Sequence, residues 1–111
     1  MAIDKIKKRN GSVVDFDRVR IEKAMEKSFV ATQVPIGHEA LEQITDELIE
    51  ILETRFVERI PGVEDVQDLV EKMLAQRGYF EVSKAYILYR KQHAELRETR
   101  KNEILEKIEK R

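Results

Sequence analysis

The side chains in this sequence best suited to holding a ligand are cations near its start. Lys5, Lys7, Lys8 and Arg9 precede Asn10-Gly11, and Arg18 and Arg20 follow it. A triphosphate needs several converging cations when no glycine loop is there to meet its charge. The glycines, Gly11, Gly37, Gly62 and Gly78, are spaced for neither a P-loop nor a dinucleotide fingerprint, so any phosphate binding must come from side chains and helix ends. Lysine protecting an exposed edge strand accounts for the same cluster. On composition alone that is the better account.

Other chemistries find little support. Cysteine is absent, which excludes disulfides, thiolate zinc sites, iron–sulfur clusters and cysteine nucleophiles. His38-Glu39 has no second histidine four residues on, so it is not a zincin motif; His38 is expected at a solvated helix start. His93 falls between Tyr89 and Leu96 at helical spacing and is expected to be a partly buried structural residue. No nucleophile, base and orienting group can be assembled. The sequence therefore predicts no catalytic residue and no protein metal site.

These side chains must be positioned by a hairpin and four helices. Asn10-Gly11 suits a tight turn with positive φ, which predicts a β-hairpin over 3–16. Asp17 is placed to cap the helix that follows, whose stripe is Ile21, Ala24, Met25, Ser28 and Phe29. Pro35 and Gly37 break it. A second helix is expected over about 39–56, with Leu41, Ile44, Leu48, Ile51 and Leu52 on one side. Pro61-Gly62 ends that region. A third helix carries Val66, Leu69, Val70, Met73 and Leu74, with Gly78 as its C′ residue. A fourth begins near Glu81, with Val82, Ala85, Tyr86, Tyr89 and Leu96 sharing a face. The expected division is a domain over 1–96 and a charged helical extension over 97–111, with a short stripe of Ile104, Leu105 and Ile108. The extension reads equally as a linker to a further domain or as a frayed terminal helix. Four one-sided stripes on short loops close into a bundle, and the hairpin must cover part of it, because an isolated hairpin is marginal in water.

Composition narrows the function classes. A chain of 111 residues, 41% hydrophobic and 39% charged, suits one domain with an aliphatic core and a heavily charged helical surface. The formal net charge of −1 provides no global field to attract nucleic acid or a membrane surface. No apolar run approaches the roughly 20 residues a span needs, and Met1 to Asn10 is too polar for a signal peptide. A cytoplasmic setting is expected.

Ordered blocks of sequence carry a resemblance. Lys8-Arg9-Asn10-Gly11, Val14-Asp15-Phe16-Asp17 and Arg20-Ile21 resemble the opening of the ATP-cone family. Val63-Glu64-Asp65-Val66-Gln67-Asp68-Leu69-Val70-Glu71 resembles its middle, and Gly78-Tyr79-Phe80-Glu81-Val82-Ser83-Lys84-Ala85-Tyr86-Ile87-Leu88-Tyr89-Arg90 its closing motif. Together they span roughly 4–92. The resemblance implies a four-helix bundle capped by the N-terminal hairpin or a small three-stranded sheet. It implies an allosteric domain that takes ATP or dATP with Mg and regulates a ribonucleotide reductase, often by a change in oligomeric state. Its partners would be the catalytic domain of the reductase and further copies of the chain.

Carried over by position, the resemblance makes Lys8 and Arg9 a phosphate-binding pair, with Arg20, where lysine is usual, and Lys91 as further phosphate-side cations. Ile6 and Val14 would border the nucleotide, Asp17 would lie near the adenine, and Val63 and Gln67 would meet it from the third helix. Val63 and Gln67 stand where other members can carry Thr and His, and the departure at Gln67 leaves the number of bound nucleotides open. Lys8 and Arg9 are adjacent, so both reach one ligand only if the strand twists or bulges. The ATP-cone repressor of reductase genes is a poor fit, since it needs a cysteine-rich zinc ribbon. A degenerate cone, serving only as an interaction module, remains the alternative.

Overall fold

A computed structural model describes the backbone over residues 3–109 and the side chains over residues 3–96 and at Arg100. Two short strands, β1 (Lys5–Lys7) and β2 (Val13–Asp15), are followed by α1 (Arg18–Thr32), α2 (His38–Arg55), α3 (Val63–Gln76) and α4 (Phe80–Glu109). The expected hairpin over four helices is thus present. The strands pair antiparallel, Lys5 with Asp15, Ile6 with Val14 and Lys7 with Val13. The third strand of the expected sheet is reduced to a single parallel bridge between Lys7 and Gly62.

Helix ends follow local chemistry. The Asp17 carboxylate accepts from the backbone N–H of Val19 at 3.1 Å and of Arg20 at 3.4 Å, which satisfies donors that the first turn of α1 leaves free. At the start of α3 the Asp65 carboxylate reaches back to accept from the Gly62 N–H at 2.8 Å. α3 ends on Gly78 at φ +87°, where the Tyr79 N–H donates to the Leu74 carbonyl at 2.9 Å and the Gly78 N–H to that of Ala75 at 3.0 Å. Those two bonds satisfy carbonyls that would otherwise be orphaned at the C-terminus.

The helices form a ring in which each packs on its sequence neighbours and α1 closes against α4. The core holds Met25 and Phe29 of α1, Leu41, Ile44, Leu48 and Leu52 of α2, the whole expected stripe of α3, and Val82 and Tyr86 of α4. Each such large side chain contributes about 1.5–3 kcal/mol when fully buried. Thr45 and Ser83 are buried as well; their hydroxyls donate to the Leu41 and Glu71 carbonyls at 2.9 and 3.0 Å, so neither hydroxyl is stranded. The hairpin rests on the bundle through Ile3, Ile6 and Phe16. Two expectations on α4 are corrected. Leu96 is 56% exposed because the helix has by then run past its partners. His93 is exposed rather than partly buried, and its ring lies against Tyr89 with centroids 4.2 Å apart. α4 continues without a break past residue 96 to Glu109. The side chains of the expected stripe Ile104, Leu105 and Ile108 lie outside the described residues. No described helix is long and apolar enough to cross a membrane.

Candidate functional site

The hairpin turn carries the expected positive φ in a loop longer than two residues. The Lys8 N–H donates to the Ser12 carbonyl at 2.8 Å and the Gly11 N–H to the Lys8 carbonyl at 3.0 Å. This leaves a three-residue loop of Arg9, Asn10 and Gly11, in which Gly11 alone takes positive φ, at +89°. A glycine in that place is what a three-residue hairpin loop asks for. Asn10 shapes the turn through its side-chain oxygen, which accepts from the Ser12 N–H at 2.9 Å and hydroxyl at 2.7 Å. Arg9 has left the strand, so strict alternation of faces no longer governs it.

The turn is tied to the start of α3. The Lys7 N–H donates to the Pro61 carbonyl at 2.9 Å, next to the bridge with Gly62. Arg9 therefore arrives beside the first turns of α3. Its guanidinium lies 3.5 Å from Gln67 Oε1 and 3.6 Å from Glu64 Oε1. Both contacts are long for charge-assisted bonds, so Arg9 is held near the helix without being locked to it.

From the other side α4 brings Arg90 and Lys91. An open cleft of about 250 Å³ is lined by Arg9, Glu64, Glu71, Ile87, Arg90, Lys91 and Ala94. Three cations outnumber two carboxylates there. Arg90 Nη1 donates to Asp68 at 3.0 Å and to Glu71. Burial works against the charge on Arg90, but the hydrogen bonds it donates to Glu71 and Asp68 more than offset it and hold the guanidinium above its ordinary range. Among the described residues no carboxylate lies within ion-pair distance of Lys91, Lys8 or Arg20.

The structure sorts the expected residues. Arg9 and Lys91 line one cleft, and Gln67 touches Arg9. Ile6 and Val14 are directly opposed across the hairpin and so share a face of the ribbon; Ile6 is half-buried and Val14 is exposed. Asp17 caps α1 through Oδ1, with Arg20 exposed in the first turn, and Val63 opens α3 half-buried. Ile6, Val14, Asp17, Arg20, Val63 and Lys8 do not line the cleft. Two cations of the N-terminal cluster have structural work instead. Lys5 pairs with Asp15 across the hairpin. Arg18 pairs with Glu22 at 3.0 Å and with Asp46 of α2 at 2.6 Å. Sequence reasoning missed Glu64, Glu71 and Arg90 as cleft residues. The spacing of Asp68 and Glu71 does put two carboxylates on one side of α3, but nothing local tells that Arg90, nineteen positions beyond Glu71, comes to meet them. A larger cleft of about 520 Å³, between the end of α2 and α3, is lined by Leu52, Arg55, Phe56, Arg59, Asp65, Asp68, Leu69 and Lys72 and by none of the expected site residues.

Comparison with known proteins places this geometry. The ATP cone domain family model matches residues 4–95. The chain is 34% identical over 96 residues to the ribonucleoside-diphosphate reductase subunit alpha of Chlamydia pneumoniae, covering 81% of this chain and 9% of that protein. It is 34% identical over 101 residues to the vitamin B12-dependent ribonucleoside-diphosphate reductase of Thermoplasma acidophilum, covering 86% of this chain and 13% of that one. The same figure holds over 95 residues for the vitamin B12-dependent reductase of Mycobacterium tuberculosis strain CDC 1551 / Oshkosh, with 84% and 13% covered. This chain thus corresponds to a small part of each relative. With the match over residues 4–95 and the hairpin seated on a four-helix bundle, the chain belongs to the ATP-cone domain family.

Proposed function

We propose that this domain is an allosteric sensor that binds ATP or dATP and regulates a ribonucleotide reductase, without performing chemistry itself. The observation that carries this reading is the convergence of Arg9 from the hairpin turn with Arg90 and Lys91 from α4 on one cleft, within a chain of the ATP-cone family. Phosphates are held there by Arg9 and Lys91, and Lys8 on the hairpin and Arg20 in the first turn of α1 add positive charge from outside the cleft. Mg, carried by the phosphates, lowers the charge those cations must meet. The Ile6–Val14 pair borders the nucleotide, Asp17 lies near the adenine, and Val63 and Gln67 approach from α3. Calorimetry with ATP, dATP, CTP and UTP tests the reading. Heat with the two adenine nucleotides in preference to the pyrimidines is the expected result. Equal affinity for all four defeats the adenine assignment, and no heat with any returns the chain to a pure interaction module.

Arg9→Ala is expected to weaken binding by about 1.5–3 kcal/mol, the worth of a charge-assisted contact. Lys5→Ala should do much less, since Lys5 serves Asp15 on the hairpin. Occupancy then has to reach a neighbour. The exposed apolar residues Val19 and Val30 on α1 and Phe80, Ile87 and Leu88 on α4 supply surface for the catalytic part of a reductase or for a second copy. The end of α4, as far as Glu109, serves as the connection. Light scattering with each nucleotide, on this chain and on the full-length protein, is expected to show a change in mass. Unchanged mass in both, with activity still responding to nucleotide, rules out association as the mechanism.

A further inference from the structure

The α3–α4 seam contains one ion pair that the polyphosphate would have to share. Arg90 on α4 meets Asp68 and Glu71 on α3 through the same nitrogen, Nη1. The side chains of Arg90 and Glu71 are only 17% and 23% exposed, so this is a partly desolvated pair, in a helical bundle whose other ion pairs are mostly on the surface. Both residues also line the cleft with Arg9 and Lys91. Among the described residues Nε and Nη2 of Arg90 have no acceptor. A phosphate held by Arg9 and Lys91 therefore comes beside unused donors of Arg90 and, at the same time, beside the like charge of Glu71.

An anion that takes the free Nε and Nη2 donors of Arg90 sets a like charge beside Glu71, and that repulsion weakens the hold of Glu71 on the same guanidinium. Binding and the pair are then linked, and the linkage is reciprocal. Anything that favours Arg90 on Glu71 disfavours the anion, and the anion loosens Arg90 from Glu71. The consequence falls on the seam itself, because the Ser83 hydroxyl on α4 also holds the Glu71 carbonyl.

We infer that Arg90 is a shared ligand, which joins Arg9 and Lys91 on the polyphosphate at the expense of its pair with Glu71 and so passes occupancy to the packing of α3 on α4. The inference rests on the polyphosphate reading of the cleft. It gives the domain an internal device for sensing, in addition to any surface that associates.

Calorimetry with Mg-ATP and with inorganic tripolyphosphate on four proteins tests it: the wild type, Glu71→Gln, Arg90→Gln and the charge-matched control Asp46→Asn, whose carboxylate serves Arg18 at the α1–α2 contact. Glu71→Gln is expected to bind about fivefold tighter or more, the lower end of ordinary coupling between sites, while Asp46→Asn changes binding less than twofold. Arg90→Gln should bind about tenfold weaker. Backbone amide exchange near Glu71 should speed up on ligand binding in the wild type and not in Arg90→Gln. If Arg90→Gln fails to fold, Glu71→Gln carries the test. Glu71→Gln binding no tighter than Asp46→Asn overturns the inference. Tripolyphosphate binding as tightly as Mg-ATP defeats the adenine reading, while Glu71→Gln binding tripolyphosphate about fivefold tighter still supports the linkage of Arg90 and Glu71. No binding of either anion to wild type or Glu71→Gln defeats both.

Discussion

On α3, Val66, Leu69, Val70, Met73 and Leu74 turn inward and are all buried, while Glu64, Gln67, Asp68 and Glu71 turn toward the hairpin and α4 and engage Arg9 and Arg90. One helix thus carries a stripe whose partners are any apolar side chains of suitable shape and a side whose partners are two particular cations. The first contributes through area removed from water, which is non-directional. The second contributes little to stability, because the exposed contacts of Arg9 are worth at most about 1 kcal/mol and the attraction in the partly desolvated Arg90 pair is offset by the cost of desolvating its charges. What the second provides is charge held in reserve for a ligand. Stability and binding should therefore separate cleanly between the two sides.

The largest test of that separation is Leu74→Ala. Leu74 is fully buried, and cutting it back should cost about 3 kcal/mol through lost burial and a residual cavity, read as a shifted denaturant midpoint. ATP affinity of the folded protein should stay within twofold. An affinity change as large as that of Arg9→Ala would break the comparison.

Tyr86 gives the apolar side a pH signature. Burial, ahead of smaller charge effects, pushes its phenol above the ordinary value of 10.0. A folded pKa above the unfolded one means the stabilisation is whole below pH 10 and drains away as pH rises toward the folded value. Between pH 9 and 11 the wild type should therefore lose about 1.4 kcal/mol more than Tyr86→Phe. Parallel stability curves for the two proteins would show that the phenol is not enclosed. Smaller still is Ser83→Ala, which removes a buried hydroxyl from the Glu71 carbonyl and should cost about 1 kcal/mol.

The same division explains what could be read in advance. All five stripe residues of α3 were legible from period alone, as were Asp17 as a cap and Gly78 as a terminator, because each depends on neighbours within a few positions. Arg9, Gln67 and Lys91 came from the family resemblance, and the geometry puts Arg9 beside Gln67 and in one cleft with Lys91. The Arg90 pair was not legible, since its charges lie on separate helices and a charged residue on a helix ordinarily signals only solvent. The length of the turn at Arg9 was not legible for a related reason. Asn-Gly fits a two-residue loop, but pairing of Lys8 with Ser12 is a matter of register, which is set by the hairpin's seating on Pro61-Gly62.

The smallest test concerns a helix end remote in kind from the polar side. α1 closes as α3 does: the Gln33 N–H donates to the Val30 carbonyl and the Val34 N–H to that of Phe29, both at 3.1 Å. At the left-handed position α3 has Gly78, whereas α1 has Gln33, at φ +58°. A side chain with a Cβ costs about 1–2 kcal/mol in that conformation. Glycine removes that cost but gives up about 0.5–1 kcal/mol in freedom lost on folding. Gln33→Gly should therefore stabilise the domain by about 0.5 kcal/mol, seen as a higher denaturant midpoint with unchanged slope. If ATP affinity stays constant, the cost at Gln33 is unconnected with the cleft and the division between structure and ligand extends beyond α3. Weaker binding in a more stable protein would show instead that the end of α1 belongs to the sensing machinery, since α1 carries Asp17 and Arg20 at its other end and packs against α4.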